Sequence, residues 1–136
     1  MSISIPAEIS PTPRFAYHLA RKADWKQGKE SGIYTGSTED MKDGFLHFST
    51  AKHIEQSCRL YRRCETGLIL VQVNLQELAQ SEKSGEMRWD PVPSRGEPFP
   101  HLYGALEVNE RIVEQEWSLD MDPETGYHIF PRDLPL

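Results

Sequence analysis

Apolar residues in this chain come in short runs separated by polar, glycine-bearing and proline-bearing stretches, and the period of each run predicts an element. Phe15 to Ala20 is an apolar run of strand type. Asp24 then starts a brief helical stretch through Trp25 that Gly28 and Gly32 bring to an end. Gly44 to Phe48 forms a second strand, and Thr50 is placed to cap a helix running to about Cys64. In that helix Ala51, Ile54, Cys58 and Tyr61 recur at three- and four-residue spacing, while Arg59, Arg62 and Arg63 occupy the opposite face. Leu68 to Val73 is nearly continuous in apolar, partly β-branched residues, which predicts a central strand covered on both faces.

Leu75 to Ala79 makes a turn or two of helix and Met87 to Asp90 a short strand. The prolines of Pro91 to Pro98 lack amide donors and Gly96 punctuates the stretch, so no regular structure is expected there. His101 to Val108 and Ile112 to Leu119 alternate as two further strands joined at Asn109-Glu110. Strands interrupted by one main helix and one or two short ones predict a single α+β domain on a mixed or antiparallel sheet. Residues 1–13, with three of the ten prolines, read as a flexible N-terminal arm; residues 14–119 carry the fold, and residues 120–136 form a tail packed on its surface.

Composition narrows the class without choosing a function. At 136 residues the chain can bury one core unaided. No apolar run approaches the roughly 20 residues of a membrane span, and Met1 to Pro6 lacks a signal peptide's basic start. A cytoplasmic protein is expected. The formal net charge of −6 argues against broad nucleic-acid binding, which needs a basic face. Cys58 and Cys64, six apart, fit neither a C-x-x-C pair nor a zinc knuckle and are expected as free thiols.

Candidate chemistry collects around three histidines. Asp43-Gly44-Phe45-Leu46-His47-Phe48-Ser49-Thr50 sets an imidazole where a strand gives way to a helix, and the first amides of that helix form a receptor for phosphate or carboxylate. Ser49 and Thr50 either bind such an anion or cap the helix. In Phe99-Pro100-His101-Leu102-Tyr103-Gly104 the histidine and tyrosine point the same way from a strand. Tyr17-His18 supplies the third imidazole. Arg95, in a loop with Gly96, offers a planar fork of donors to an anion or is simply a surface arginine. Trp25 and Tyr103 are core aromatics or a wall on which a nucleobase or nicotinamide ring stacks. His53 and His128 read as surface positions. Without H-x-H or H-E-x-x-H spacing, no metal is expected. Asp43, Asp90, Glu97 and Glu107 are the acids nearest the histidine motifs, with no ground for choosing among them.

From about Phe15 to Val113 the chain resembles the DUF952 family. The resemblance rests on Tyr17-His18, Trp25, Gly32-Ile33-Tyr34, the Asp43 to Thr50 motif, the Leu68 to Val73 strand and the Phe99 to Gly104 motif. It departs at Asp90, after Trp89, where the family usually has glutamate. The family is similar to the ADP-ribosyltransferase-like fold class, whose enzymes split NAD at the nicotinamide bond. That resemblance implies NAD as substrate and a ribose contact for His18. Leu46-His47-Phe48-Ser49 is similar to the next strand of NAD-using RNA 2'-phosphotransferases. The late glutamate of the transferases has no counterpart, His101 and Tyr103 standing in its strand.

Three functions compete. The first is an enzyme acting on NAD, ADP-ribose or a related nucleotide: His18 and Trp25 line the ligand, Ser49, Thr50 and Arg95 hold a phosphate, and His47, His101 and Tyr103 carry the chemistry. The second is a metal-free acid/base enzyme on a phosphate ester, which needs two imidazoles about 5 to 8 Å apart across a cleft. The third is a non-catalytic module binding a small anion or docking a partner. The oligomeric state is open.

Overall fold

The computed structural model describes residues 4–136. Seven residues, Phe15–Arg21, form β1, and its backbone leads directly into α1, Lys22–Ser31. Gly28 does not end that helix. A Cβ there would lie 2.8 Å from the Cβ of Tyr34, so the glycine lets the helix press onto that ring; the helix stops at Gly32, whose φ of 82° suits a left-handed cap. After β2, Ile33–Tyr34, comes α2, Thr38–Asp43, which the apolar pattern does not announce. It is held by a capping box: the Ser37 side chain accepts from the Asp40 amide while the Asp40 carboxylate accepts from the Ser37 amide.

Only Leu46–His47 of the second predicted strand pairs, as β3. The main helix is shorter than its apolar spacing suggests: α3 is Ile54–Tyr61, with a turn at residues 51–53 before it. Thr50 therefore precedes the helix by a turn, and its carbonyl, not its hydroxyl, receives the His53 and Ile54 amides at 3.0 Å. β4, Leu68–Asn74, and α4, Leu75–Ala79, follow the sequence pattern closely. β5 is Glu86–Asp90 and β6 Phe99–Tyr103, the loop between them holding one 3-10 turn, Pro93–Arg95. The strand expected over 101–108 breaks at Gly104, which approaches Gly85 too closely for a side chain on either. β7, Leu106–Glu107, pairs with β2, and β8, Val113–Leu119, returns to β4.

The domain is α+β with antiparallel pairing throughout the described strands: one sheet in the order β1-β4-β8, a second in the order β3-β6-β5, and the ribbon of β2 and β7. β4 is central and buried on both faces, and its neighbours show the period-two division of a two-sided sheet. Ala16, Ala20, Ile69, Val71 and Val73 face Trp25, Tyr34, Phe48 and Leu102; Phe15, Tyr17, Leu68 and Leu70 face Ile54 and Cys58 of α3. Each fully buried Val, Ile, Leu or Phe side chain among them contributes about 1.5–3 kcal/mol. Phe130 and Leu134 of the C-terminal segment pack on the second cluster, and Tyr17 donates from its hydroxyl to the Pro135 carbonyl. Within 4–13, Ile9 is buried and Ile5 packs against the first cluster; the first three residues of the expected arm lie outside the described residues.

Two reciprocal backbone bonds tie the sheets together. The Tyr17 amide donates to the Ser49 carbonyl at 2.7 Å and the Ser49 amide to the Tyr17 carbonyl at 2.8 Å. This stitch sets His18, next along β1, beside His47, at the end of β3. No helix among the described residues is long and apolar enough to cross a membrane.

Candidate functional site

His47 and His101 are direct register partners across β3 and β6. Opposed residues on an antiparallel pair project from the same face, so the imidazoles face one hollow with ring centroids 5.6 Å apart. Phe45 covers one flank, stacked 4.2 Å from His101 at 18° and 4.7 Å from His47. The hollow measures about 500 Å3, within the range of small-molecule sites.

Each histidine has an aspartate behind it. His47 donates from Nδ1 to Asp40 Oδ1 at 2.7 Å, and Asp40, only 2% exposed, also accepts from the backbone amides of His47 and Ser37 and from the Ser37 hydroxyl. Burial would push that carboxyl up; the bonds from His47 and Ser37 and the nearby His18 outweigh it and hold Asp40 far below the ordinary carboxylate range. His47 Nε2 lies 3.1 Å from Asp43 Oδ2. The ring holds both carboxylates at once only when it carries both protons.

His101 donates from Nδ1 to Asp90 Oδ2 at 2.8 Å, and the Tyr103 hydroxyl donates to the same oxygen at 2.5 Å. Burial lowers the His101 pKa below its ordinary 6.5, against the opposing pull of Asp90. Asp90 in turn is lowered: the two bonds it receives exceed the effect of its burial. A neutral His101 with Nδ1–H on Asp90 carries its lone pair on Nε2, the arrangement of a general base.

The structure gathers His18, His47, Ser49, Arg95 and His101 around the hollow, but their roles differ from the sequence reading. His18 is 1% exposed and both its nitrogens are taken. Nδ1 donates to the His47 carbonyl at 2.6 Å, so Nε2 must accept from the Tyr34 hydroxyl at 2.7 Å. With no free nitrogen it braces His47 instead of reaching a ribose. Ser49 spends its hydroxyl on Ser57 at 3.0 Å. Thr50 is buried away from the hollow. Trp25 is 1% exposed in the core with its indole N–H on Glu116, so it stacks no ligand. Tyr103 also lies outside the lining, its hydroxyl committed to Asp90; it positions a carboxylate and does not touch a reacting group.

Arg95 is different. Of the three guanidiniums lining the hollow, Arg21 pairs with Glu39 and Glu65, and Arg62 with Glu65. Arg95 has no carboxylate partner among the described residues. It lies 4.5 Å from the Phe99 ring and donates from Nη2 to Gln56 Oε1 at 3.1 Å, and its buried Nε has no partner. The notional anion receptor at the helix start has moved, since α3 begins at Ile54 behind an N-cap, His53, whose carbonyl accepts from Arg95 at 3.5 Å. His53 is not a free surface group: it pairs with Glu97. Nor is His128, which is 5% exposed between Cys58 and the Glu65 carbonyl. Cys58 and Cys64 are free thiols. Among the described residues no group of three or more His, Cys, Asp or Glu is arranged to hold a metal ion.

Asp40 is the chief residue that the sequence reading passed over. A signal was there, since Ser37-Thr38-Glu39-Asp40 is a capping-box pattern that places Asp40 on a short helix just before the His47 motif. Arg21 and Glu65 have no comparable signal, Tyr34 enters only within the family motif, and the period puts Arg62 on the solvated face of the main helix.

Against known proteins, the family model described as "Protein of unknown function (DUF952)" matches residues 19–115. The crystal structure of protein CC0527 from Caulobacter crescentus is similar with a TM-score of 0.72 and 30% identity, over 85% of this chain and 93% of that one. The solution NMR structure of CC0527 gives a TM-score of 0.65 at 28% identity, over 82% and 90% of the two chains. No curated protein matches the sequence.

Proposed function

The chain belongs to the DUF952 family, and we propose that it is a cytoplasmic enzyme acting on NAD, ADP-ribose or a related nucleotide in the hollow between β3, β6 and α3. The observation that carries this reading is the pair of aspartate-backed imidazoles, 5.6 Å apart and open to a space that also holds a guanidinium with no carboxylate partner among the described residues. Arg95 anchors a phosphate. His101, neutral and with no partner on Nε2 among the described residues, removes a proton from the attacking water or hydroxyl; His47, flanked by Asp40 and Asp43, returns one to the leaving oxygen where an ester is split, whereas nicotinamide leaves uncharged and needs none. Backing carboxylates fix the tautomer and aim of each ring, so that little reorganisation is left for the reaction itself. The resemblance to ADP-ribosyltransferase-like proteins supports a nucleotide ligand. Cysteines left unpaired fit a reducing compartment.

A second reading, an acid/base enzyme on a phosphate ester that is not a nucleotide, is favoured by the imidazole separation alone, which matches the span of one bridging phosphate.

Calorimetric titration of NAD and of ADP-ribose, with turnover followed by product analysis, tests the proposal. Saturable binding of one of them is expected, with turnover falling by at least about a hundredfold in His47→Ala and His101→Ala, in line with the usual share of general acid–base catalysis. Absence of binding at millimolar ligand, together with unaltered behaviour of both variants toward phosphate esters, contradicts it.

A further inference from the structure

The charge and shape of the hollow narrow the ligand further, on the premise of the nucleotide reading above. Its two arginines nearest α2, Arg21 and Arg62, are matched by Glu39 and Glu65, so that part of the wall adds no uncompensated positive charge. One cation remains. Arg95 sits at the N-terminal end of α3, held by Gln56 and stacked on Phe99, which projects from the same face of β6 as His101, two residues on. A pyrophosphate carries two charged groups, and this site offers a single guanidinium fork to receive one of them.

The C-terminal end of α3 brings one aromatic ring, Tyr61, to the hollow beside the Arg62–Glu65 pair. Ile54, Ser57 and Tyr61 follow one another along the face of α3 that lines it, spacing that puts Tyr61 about 10 Å from Ile54. Tyr61 is 67% exposed. The sequence period counted it as a core position, and in the folded chain its ring lies open at the rim with no aromatic partner among the described residues. An uncovered aromatic face beside a polar hollow suits a flat ring, and stacking of a base on such a face is worth about 1–3 kcal/mol in nucleic-acid sites, or roughly ten- to a hundredfold in affinity. His47, His101 and the half-exposed Asp43 carboxylate line the same hollow, and a carboxylate can accept hydrogen bonds from sugar hydroxyls.

We propose that the hollow is a nucleoside monophosphate site, with the single phosphate on Arg95, the base against Tyr61 and the sugar hydroxyls near Asp43, so that the histidine pair faces the sugar and its phosphate ester. A dinucleotide's second phosphate has no receptor here. Longer ligands bind through one nucleotide only.

The test is calorimetric titration of the full chain with 5'-AMP, adenosine, inorganic phosphate and ADP-ribose, using the wild type, Arg95→Gln, Arg95→Lys and Tyr61→Ala. Expected is 5'-AMP binding more tightly than adenosine or phosphate and at least as tightly as ADP-ribose. Arg95→Gln should weaken 5'-AMP by about tenfold or more. Arg95→Lys should recover part of that loss, because a lysine keeps the charge and lacks the fork. Tyr61→Ala should weaken 5'-AMP and adenosine alike and leave phosphate unchanged. Thermal melts that match the wild type confirm that the variants are folded. ADP-ribose binding about tenfold more tightly than 5'-AMP, or 5'-AMP binding indifferent to Arg95→Gln, overturns the monophosphate site while leaving the broader nucleotide reading intact. Failure of every nucleotide to bind overturns both.

Discussion

Asp40→Ala is expected to lower the unfolding free energy by about 3 kcal/mol, the cost typical of removing one partner from a buried, hydrogen-bonded charge pair. The carboxylate accepts from the Ser37 amide and hydroxyl, the His47 amide and the His47 ring, and it is nearly inaccessible to water. Losing the cap of α2 alone would cost about 1 kcal/mol. The larger part comes from donors left unpaired in a dry environment, at about 1–3 kcal/mol each when nothing replaces the acceptor. Because α2 is only six residues long, loss of its capping box also frees Asp43, and His47 loses both carboxylates together. Urea denaturation measures the change directly. Asp40→Asn, which keeps an acceptor oxygen and the side-chain volume, should fall between the wild type and the alanine variant. A loss below about 1 kcal/mol for Asp40→Ala would show that water or a rearranged Ser37 takes over the carboxylate's bonds.

A second large effect is expected on acidification. His18 and His101 both have pKa values below 6.5 in the folded chain, His18 chiefly through burial and His101 through burial against the opposing pull of Asp90. The unfolded chain therefore binds protons that the folded one refuses once the pH drops below about 6.5, and stability falls with pH through that window. Two such groups give a slope of at most about 2.7 kcal/mol per pH unit, at about 1.4 kcal/mol per proton. Asp40 and Asp90 have lowered pKa values instead, so their contribution stays whole above 3.8 and is lost only as the pH falls toward their folded values. The first loss of stability thus comes from histidine and the second from carboxylate. Denaturation curves at a series of pH values from 7.5 down to about 2 test the order. Replacing His101 by glutamine, or His18 where that variant folds, should flatten the first phase. Constant stability between pH 7.5 and 5.5 would mean that His18 accepts a proton in place, which its bonds to the His47 carbonyl and the Tyr34 hydroxyl make costly.

The parts of this fold that the sequence discloses are those governed by local pattern. β4 announces itself because six successive buried residues leave no polar face to misread, and α4 because Asn74 caps it where Leu75 and Leu78 turn inward. The histidine motifs are equally plain, since His47 and His101 stand out of apolar strands with no packing reason to be there. What stays hidden depends on distant chain segments. Gly28 reads as a helix breaker until Tyr34 is known to press on it. Trp25 reads as either a core aromatic or a stacking wall until Glu116, far along the chain, takes its N–H. Arg62 belongs by period to a solvated face, and Glu65 turns it into a wall of the hollow. Conversely, Tyr61 has the spacing of a core residue, but α3 ends there, so nothing beyond it covers the ring. Asp40 shows the same limit from the other side. Its capping box is legible, whereas its bond to His47 is decided by how α2 and β3 are joined through Gly44, whose φ of 85° turns the chain back on itself.

The central claim is that the paired imidazoles and Arg95 form one anion-receiving site. Histidine and arginine side-chain resonances, followed by heteronuclear NMR while ADP-ribose or 5'-AMP is added, test it most directly. Saturable movement of the His47 and His101 ring signals together with the Arg95 Nε–H, while His128, buried between Cys58 and the Glu65 carbonyl, stays fixed, is the expected result. Ring signals of His47 and His101 that do not respond to millimolar ligand, or a response confined to His128, would contradict it.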